Sequence, residues 1–322
     1  MKKLLCITLA LAVCAAAAPV RVIFDTDMGN DIDDALALAM IHALESKGEA
    51  KLLAVTITKD NRWAAPYVDL VNTFYGRGSI PVGVVRNGKT PAGSKMIEVP
   101  AERKKSDGSF VYPRRILSGA DAPEAVGLLR GILAAEKDHA VTIVQVGFST
   151  NLARLLDSDA DRALVARKVR LLAVMAGAFP EGKPEYNVKT DIPAAKRIFA
   201  DWPTPIVASG YEVGLSILYP ASSIEKDFSY VPDHPIAEAY RAYKPMPYDR
   251  PTWDPTAALY AIRPGAGYFS LSGKGTIGLD EEGRTHFRPD GQGRCRYLMV
   301  SDTQRELVKK AMIELASRPP DR

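Results

Sequence analysis

Val20-Arg21-Val22-Ile23-Phe24-Asp25-Thr26-Asp27-Met28-Gly29-Asn30-Asp31-Ile32-Asp33-Asp34-Ala35 joins a short apolar run to five carboxylates and then to a helical pattern. Val20 to Phe24 reads as a buried strand, and Ala35 to Leu44 as a helix with apolar residues three and four apart. Parallel α/β sheets gather ligands at the carboxyl ends of their strands, which is where Asp25 and Asp27 fall. Asp31, Asp33 and Asp34 follow before the helix begins. Five carboxylates within ten residues repel one another unless a cation or protons compensate. Hard oxygen donors at this density suit calcium or magnesium rather than a transition metal, and calcium accepts more ligands. The cluster therefore reads as a divalent-metal site.

Plainer readings compete with it. Asp33 or Asp34 stands where a cap for the helix at Ala35 belongs. An EF-hand loop fits poorly, because Gly29 falls where a ligand is needed and no helix precedes the cluster. Asp25-Thr26-Asp27 after a strand also resembles the aspartate-nucleophile phosphatases of the haloacid dehalogenase type, but no clear downstream Lys and acidic pair accompanies it.

Outward from the cluster, short apolar runs alternate with amphipathic stretches. Strands are expected at Leu52 to Ile57, Pro81 to Val85, Ala140 to Val146, Val169 to Met175 and Pro205 to Ala208. Helices are expected at Ala64 to Tyr75, Pro123 to Glu136, Ile192 to Ala200, Trp253 to Ile262 and Asp302 to Ala316. This alternation predicts an α/β fold with a mostly parallel central sheet flanked by helices. Tyr268 to Ser272, Thr276 to Gly278 and Tyr297 to Val300 read as extra C-terminal strands, partly antiparallel. Arg86 to Arg115 shows no period and reads as a long binding loop or lid.

The chain has 322 residues, 47% hydrophobic and 25% charged, enough to bury a large core without staples. A formal charge of only +4, part of it from Lys2 and Lys3, gives no surface for nucleic acid or an anionic membrane. Lys2 and Lys3, the apolar run Leu4 to Val13 and the small residues Ala15 to Ala18 follow the order of a secretory leader. Residues 1–18 are thus expected to be a signal peptide, and 19–322 a single domain exported to the periplasm or beyond. Lipidation at Cys14 is disfavoured by the bulky Val13 before it. Cys6 and Cys14 leave with the leader, so Cys295 alone remains and no internal disulfide or cysteine metal site is available. A homo-oligomer stays open.

Together with its neighbours, the cluster resembles the inosine–uridine-preferring nucleoside hydrolases, whose signature is Asp-x-Asp-x-Gly-x-Asp-Asp-Ala after the first strand. Here Asp25-Thr26-Asp27-Met28-Gly29 and Asp33-Asp34-Ala35 carry it, with two extra residues between the halves. Val146-Gly147-Phe148-Ser149-Thr150-Asn151-Leu152-Ala153 resembles the segment whose Thr carbonyl binds calcium. Glu185-Tyr186-Asn187 resembles the ribose-holding segment, Trp253-Asp254-Pro255 the late segment that completes the calcium shell, and Asn61 a ribose-binding Asn. These stations occur in order across most of the mature chain.

The resemblance implies a Rossmann-like nucleoside hydrolase fold, a Ca2+ cofactor and ribonucleosides as substrates. It makes Asp27 the catalytic base and a calcium ligand, with Asp34, Asp254 and the Thr150 carbonyl completing the metal shell. Asp33, Asn61, Glu185 and Asn187 would hold the ribose, and Asp25 would stand behind the ligands. Trp253 replaces the His that pyrimidine-tolerant members carry as leaving-group acid, and Trp at this place stacks on purines in purine-preferring members. Trp63 is a weaker second wall. Taken singly, Asn61 is equally a helix cap, Glu185 and Asn187 a turn after Pro184, and Trp253 a core residue. Asn151 reads as a cap or loop stabiliser. His42 reads as packing and His139 as surface, whereas His234, His286 and Tyr248 lie in the less regular part from which a side chain reaches the site. Phe179 stands near the Asn that the family uses at the ribose 5′ end. The rival readings are a non-catalytic, calcium-dependent nucleoside- or sugar-binding protein and a phosphatase acting through Asp25.

Overall fold

The computed structural model describes residues 18–180 and 182–321. The leader expected at residues 1–18 lies, but for Ala18, outside them. Six parallel strands form the body of the sheet: β1 (Val20–Thr26), β2 (Ala50–Ile57), β3 (Val82–Val84), β4 (Val141–Gln145), β5 (Val169–Met175) and β6 (Ile206–Ser209). Their spatial order is β3-β2-β1-β4-β5-β6. Cys295–Met299 extends the sheet parallel to β6, and Gly275–Leu279 and Thr285–Pro289 add antiparallel strands beyond it. Ser270–Leu271 pairs antiparallel with the end of Cys295–Met299. Of these, Thr285–Pro289 is not legible in the sequence; its alternation carries His286 and Arg288 on an exposed edge rather than an apolar run.

Helices cover both faces, which is why the central strands are apolar on both sides. Val22 and Phe24 of β1 pack into one layer and Ile23 into the other, as a period of two requires. The first layer is centred on α1 (Asp33–Ser46), buried along its whole length from Asp33 to Leu44. It is enclosed by the helices Asp254–Ile262 and Asp302–Ala316, so an apolar surface all round it is expected. The second layer holds Leu129, Leu133, Val165 and Ile198 from three further helices.

The strand order reverses between β1 and β4, and the crevice at that switch point is where doubly wound sheets bind ligands. Gly147, just past β4, makes the crevice tight. A Cβ there would fall 2.4 Å from Thr58 Oγ1 and 2.5 Å from the Asp27 nitrogen, so no larger residue lets β4 approach the aspartate loop this closely.

Two local expectations change. Arg86 to Arg115 is not a structureless loop: it contains the helix Lys95–Glu102, which buries Met96, Ile97, Pro100 and Ala101. This helix packs on α2 (Ala64–Phe74) and on Pro235–Tyr243. Pro100 inside so short a helix hides its period. The expected aspartate cap at Ala35 is also absent, because α1 starts at Asp33 with Ile32 as its cap and no side-chain bond there. The aspartates have other partners.

Candidate active site

Carboxylate oxygens of Asp33, Asp34 and Asp254 all lie within 4.8 Å of one another, and all three residues are buried. Asp33 and Asp34 enter from the first turn of α1, and Asp254 from the first residue of its own helix across the crevice. Asp33 holds the two together, since its Oδ2 accepts from the backbone nitrogens of Trp253 (2.8 Å) and Asp254 (3.1 Å). Asp34 accepts from the Thr26 hydroxyl through Oδ1, while its Oδ2 is buried with no hydrogen-bond partner. Asp27 lies beside Asp34 and accepts from Asn30 Nδ2 at 2.9 Å.

Among the described residues, charge of one sign collects here with no cation in direct contact with Asp33, Asp34 or Asp254. Burial first, then Asp27 and Asp33, hold the Asp34 carboxyl well above the usual range. Burial, then Asp33, Asp34 and Asp27, do the same to Asp254. Asp27 and Asp33 are pushed up to about 6, chiefly by burial, with hydrogen bonds from Asn30 and from two backbone amides resisting it. An all-oxygen donor set, an orphaned buried oxygen and mutual repulsion are together what a hard divalent cation relieves. The residues fit such an ion.

Behind the cluster, Asp25 is fully buried and accepts from Thr56 Oγ1 (2.5 Å) and Asn151 Nδ2 (2.9 Å). Burial pushes its carboxyl up to about 7. It does not line the cavity, so it presents no nucleophile, and the phosphatase reading loses its residue. Asn151 accordingly stabilises Asp25 rather than facing a ligand.

The cluster opens into a cavity of about 820 Å3 that includes Asp27, Asp33, Asp34, Asp254, Glu185 and Asn187. Glu185 caps the helix Tyr186–Thr190, accepting from the nitrogens of Asn187 (2.8 Å), Gly177 (3.1 Å) and Val188 (3.2 Å). Burial pushes it up to about 7. Asn187 donates from Nδ2 to the carbonyls of Val146 (2.7 Å) and Met175 (3.2 Å), which fixes its amide against the ends of β4 and β5. In the same cavity Trp253 stacks on Tyr211, with centroids 5.7 Å apart, and donates from Nε1 to the Tyr211 carbonyl. The Arg250 guanidinium lies 5.2 Å from the Trp253 centroid and pairs with Asp31.

Several expected residues fall elsewhere. Asn61 does not line the cavity. Its Nδ2 donates to the carbonyls of Pro91 and Ala92 and its Oδ1 accepts from the Trp63 nitrogen, so it orders the turn before α2. Trp63 faces a separate hollow with Phe110 and Arg114, and is no second wall. The Thr150 hydroxyl donates to Asp191 at 2.5 Å, and its side chain is not part of the cavity wall. No histidine lines the cavity among the described residues: His234 caps Pro235–Tyr243, and His286 is exposed beside Asp280. Tyr248 is tied to the Tyr240 carbonyl. Conversely, Asn30, Tyr211, Glu212 and Arg250 line the cavity without a sequence signal of their own, and Tyr186 lines it from within the Glu185-Tyr186-Asn187 segment.

A model of the family described as inosine-uridine preferring nucleoside hydrolase matches residues 22–313. The pyrimidine-specific ribonucleoside hydrolase RihA of Citrobacter koseri is 31% identical over 212 residues, covering 60% of this chain and 60% of that protein. RihA of Salmonella agona is 30% identical over 225 residues, 64% of each. The chain thus spans less than two thirds of the length of these curated relatives. Among solved structures, the inosine-uridine preferring nucleoside hydrolase of Bacillus anthracis superposes with a TM-score of 0.70 at 19% identity, covering 92% of this chain and 99% of that one. The purine-preferring ribonucleoside hydrolase of Gardnerella vaginalis gives 0.69 at 17%, covering 92% and 99%. At such identities the likeness establishes the shared α/β fold.

Proposed function

This chain belongs to the inosine–uridine-preferring nucleoside hydrolase family, and from that premise we propose that it is a calcium-dependent enzyme cleaving ribonucleosides to ribose and free base. The observation that carries the reading is the convergence of Asp33, Asp34 and Asp254 at the β1/β4 switch point, opening on a cavity that also holds Asp27, Glu185 and Asn187. Asp27, Asp34 and Asp254 would hold the cation, with Asp33, expected at the ribose, converging on the same group, and by family resemblance the Thr150 carbonyl would join them. When bound, calcium supplies Lewis acidity and an anchor for oxygen ligands.

N-glycoside hydrolysis passes through an oxocarbenium-like sugar. Water attacks the anomeric carbon, its proton passes to Asp27, and the C1′–N bond breaks with its electron pair on the base. The dense negative charge around Asp27, Asp34 and Asp254 favours a cationic ribosyl ring. Glu185 and Asn187, each locked by backbone hydrogen bonds, offer preorganised partners to the sugar hydroxyls.

Purine nucleosides are the preferred substrates in this proposal. The support is the aromatic pair of Trp253 and Tyr211, stacked on each other in the cavity lining, and the lack of a histidine among the described lining residues. A second reading, pyrimidine preference, is favoured by the names of the RihA relatives. Export after cleavage of the leader is also proposed, on the order of charged, apolar and small residues before Pro19; N-terminal sequencing of the fractionated protein tests it.

Assay of inosine, adenosine, uridine and cytidine in calcium and in chelator decides the reading. Base release in calcium, fastest for the purines and lost in chelator, is the expected result. Faster release from uridine and cytidine reverses the base preference. Tight calcium binding with no release from any ribonucleoside makes the chain a binding protein.

A further inference from the structure

Lys59 is a buried lysine that forms no ion pair among the described residues, and it is linked to the proposed catalytic base through Asn30. Its side chain is 2% exposed. Nζ donates to Asn30 Oδ1 at 2.8 Å and to the Thr90 carbonyl at 3.0 Å. Asn30 in turn donates from Nδ2 to Asp27 Oδ2 at 2.9 Å and to Thr90 Oγ1 at 3.2 Å. The loop backbone is fitted to this lysine: Gly29 has φ +112°, and a Cβ there would lie 3.0 Å from Lys59 Cδ and 2.6 Å from Ile97 Cδ1.

A primary amide has one accepting end and one donating end, and a lysine ammonium only donates. Lys59 and Asp27 together fix Asn30, Oδ1 toward the ammonium and Nδ2 toward the carboxylate, so Lys59 anchors the far end of the amide that meets Asp27. Without the ammonium, only the acceptors Asp27 and Thr90 at the Nδ2 end orient the amide, and its oxygen end loses the donor that anchors it. We infer that Lys59 is a positioning residue for Asp27, acting through Asn30, and that its positive charge tempers the hold of the carboxylate cluster on a divalent cation. Thr90 adds that the segment opening at Arg86 is pinned to the same relay. The inference rests on the reading of Asp27 as base.

Two opposed effects follow. Removing the charge one amide away from Asp27 strengthens divalent-cation binding, while losing the relay misplaces the base and slows turnover. General damage to the site weakens both together. The variants are Lys59→Met, which keeps the stem, Asn30→Ala, and the double variant. The measurements are kcat and KM for ribonucleoside hydrolysis, calcium Kd by titration calorimetry, and Tm as a check of folding.

Lys59→Met is expected to lower kcat by about tenfold to a hundredfold with KM within about twofold, and to tighten calcium about tenfold. Asn30→Ala should lower kcat comparably without tightening calcium, and the double variant should be no slower than the worse single one, because both act through one chain of bonds. Unchanged kcat in Lys59→Met, multiplying losses in the double variant, or calcium affinity that falls in step with kcat would each overturn the inference. If the wild-type chain binds calcium but releases no base, the hydrolase reading and the positioning role fall together. The calcium titrations then still judge the electrostatic half, which an unchanged or weaker Kd in Lys59→Met overturns.

Discussion

Replacing Asp254 by Asn should make the metal-free protein more stable and the calcium-loaded protein less stable. The side chain of Asp254 accepts no hydrogen bond among the described residues, whereas Asp33, Asp34 and Asp27 each have a donor. Among the described residues, its repulsion from Asp33 and Asp34, whose oxygens lie within 4.8 Å, is opposed by no hydrogen bond to its own side chain and only by the nearby charge of Arg250. At an effective dielectric of about 20, one such charge pair costs on the order of 3 kcal/mol. Proton uptake by the cluster limits that penalty, so about 2 kcal/mol remains for Asp254→Asn to recover at pH 8. For a chain of this size that is a rise in Tm of about 5 °C. Calcium at a hundred times its Kd stabilises the wild type by about 2.7 kcal/mol, a gain the variant loses with a ligand. Thermal unfolding in chelator and in calcium, for both proteins, should therefore give two crossing orders of stability. A variant less stable than wild type in chelator, or a wild type whose Tm ignores calcium, would refute the reasoning.

Asp27→Asn should lower kcat by at least about a thousandfold while nucleoside affinity changes little; equal turnover removes Asp27 as base. Trp253→Ala should raise KM for purine nucleosides several-fold more than for pyrimidine ones, and an equal loss on both would assign Trp253 to packing. In chelator, stability should fall as pH rises. Asp25 and Glu185, at about 7, and Asp27 and Asp33, at about 6, sit above the unfolded carboxyl values near 4, so the folded chain binds the extra protons. That stability is full below about pH 4 and is lost as pH passes 6 to 7, with calcium flattening the slope; urea midpoints in chelator that rise between pH 6 and 8 contradict it.

The aspartate run is legible because it is chemically extravagant: no solvated loop gathers Asp25, Asp27, Asp33 and Asp34 beside a strand without compensation. The β1-to-α1 step and the parallel strands β2, β4 and β5 are legible for a related reason, since burial on both faces writes itself as uninterrupted apolar runs. Glu185, Asn187 and Asp254 are legible only through their order along the chain, and the fold brings them to one cavity. Asn61 shows the limit of that approach, because a residue at the right position in the chain is held away from the cavity by the Pro91 and Ala92 carbonyls. Those carbonyls belong to the segment whose helix hides behind Pro100, so the place of Asn61 outside the cavity and the hidden order of Arg86 to Arg115 have one source. Lys59 and Arg250 were invisible because each looks like a surface cation until Asn30 and Asp31 are seen to hold them.

Calcium titrated into chelator-stripped protein, with base release from inosine followed alongside, tests the central claim most directly. Activity should be absent at the start, rise in proportion to calcium, and stop rising at one equivalent per chain. Full activity in chelator, or one bound calcium with no base released, would contradict it.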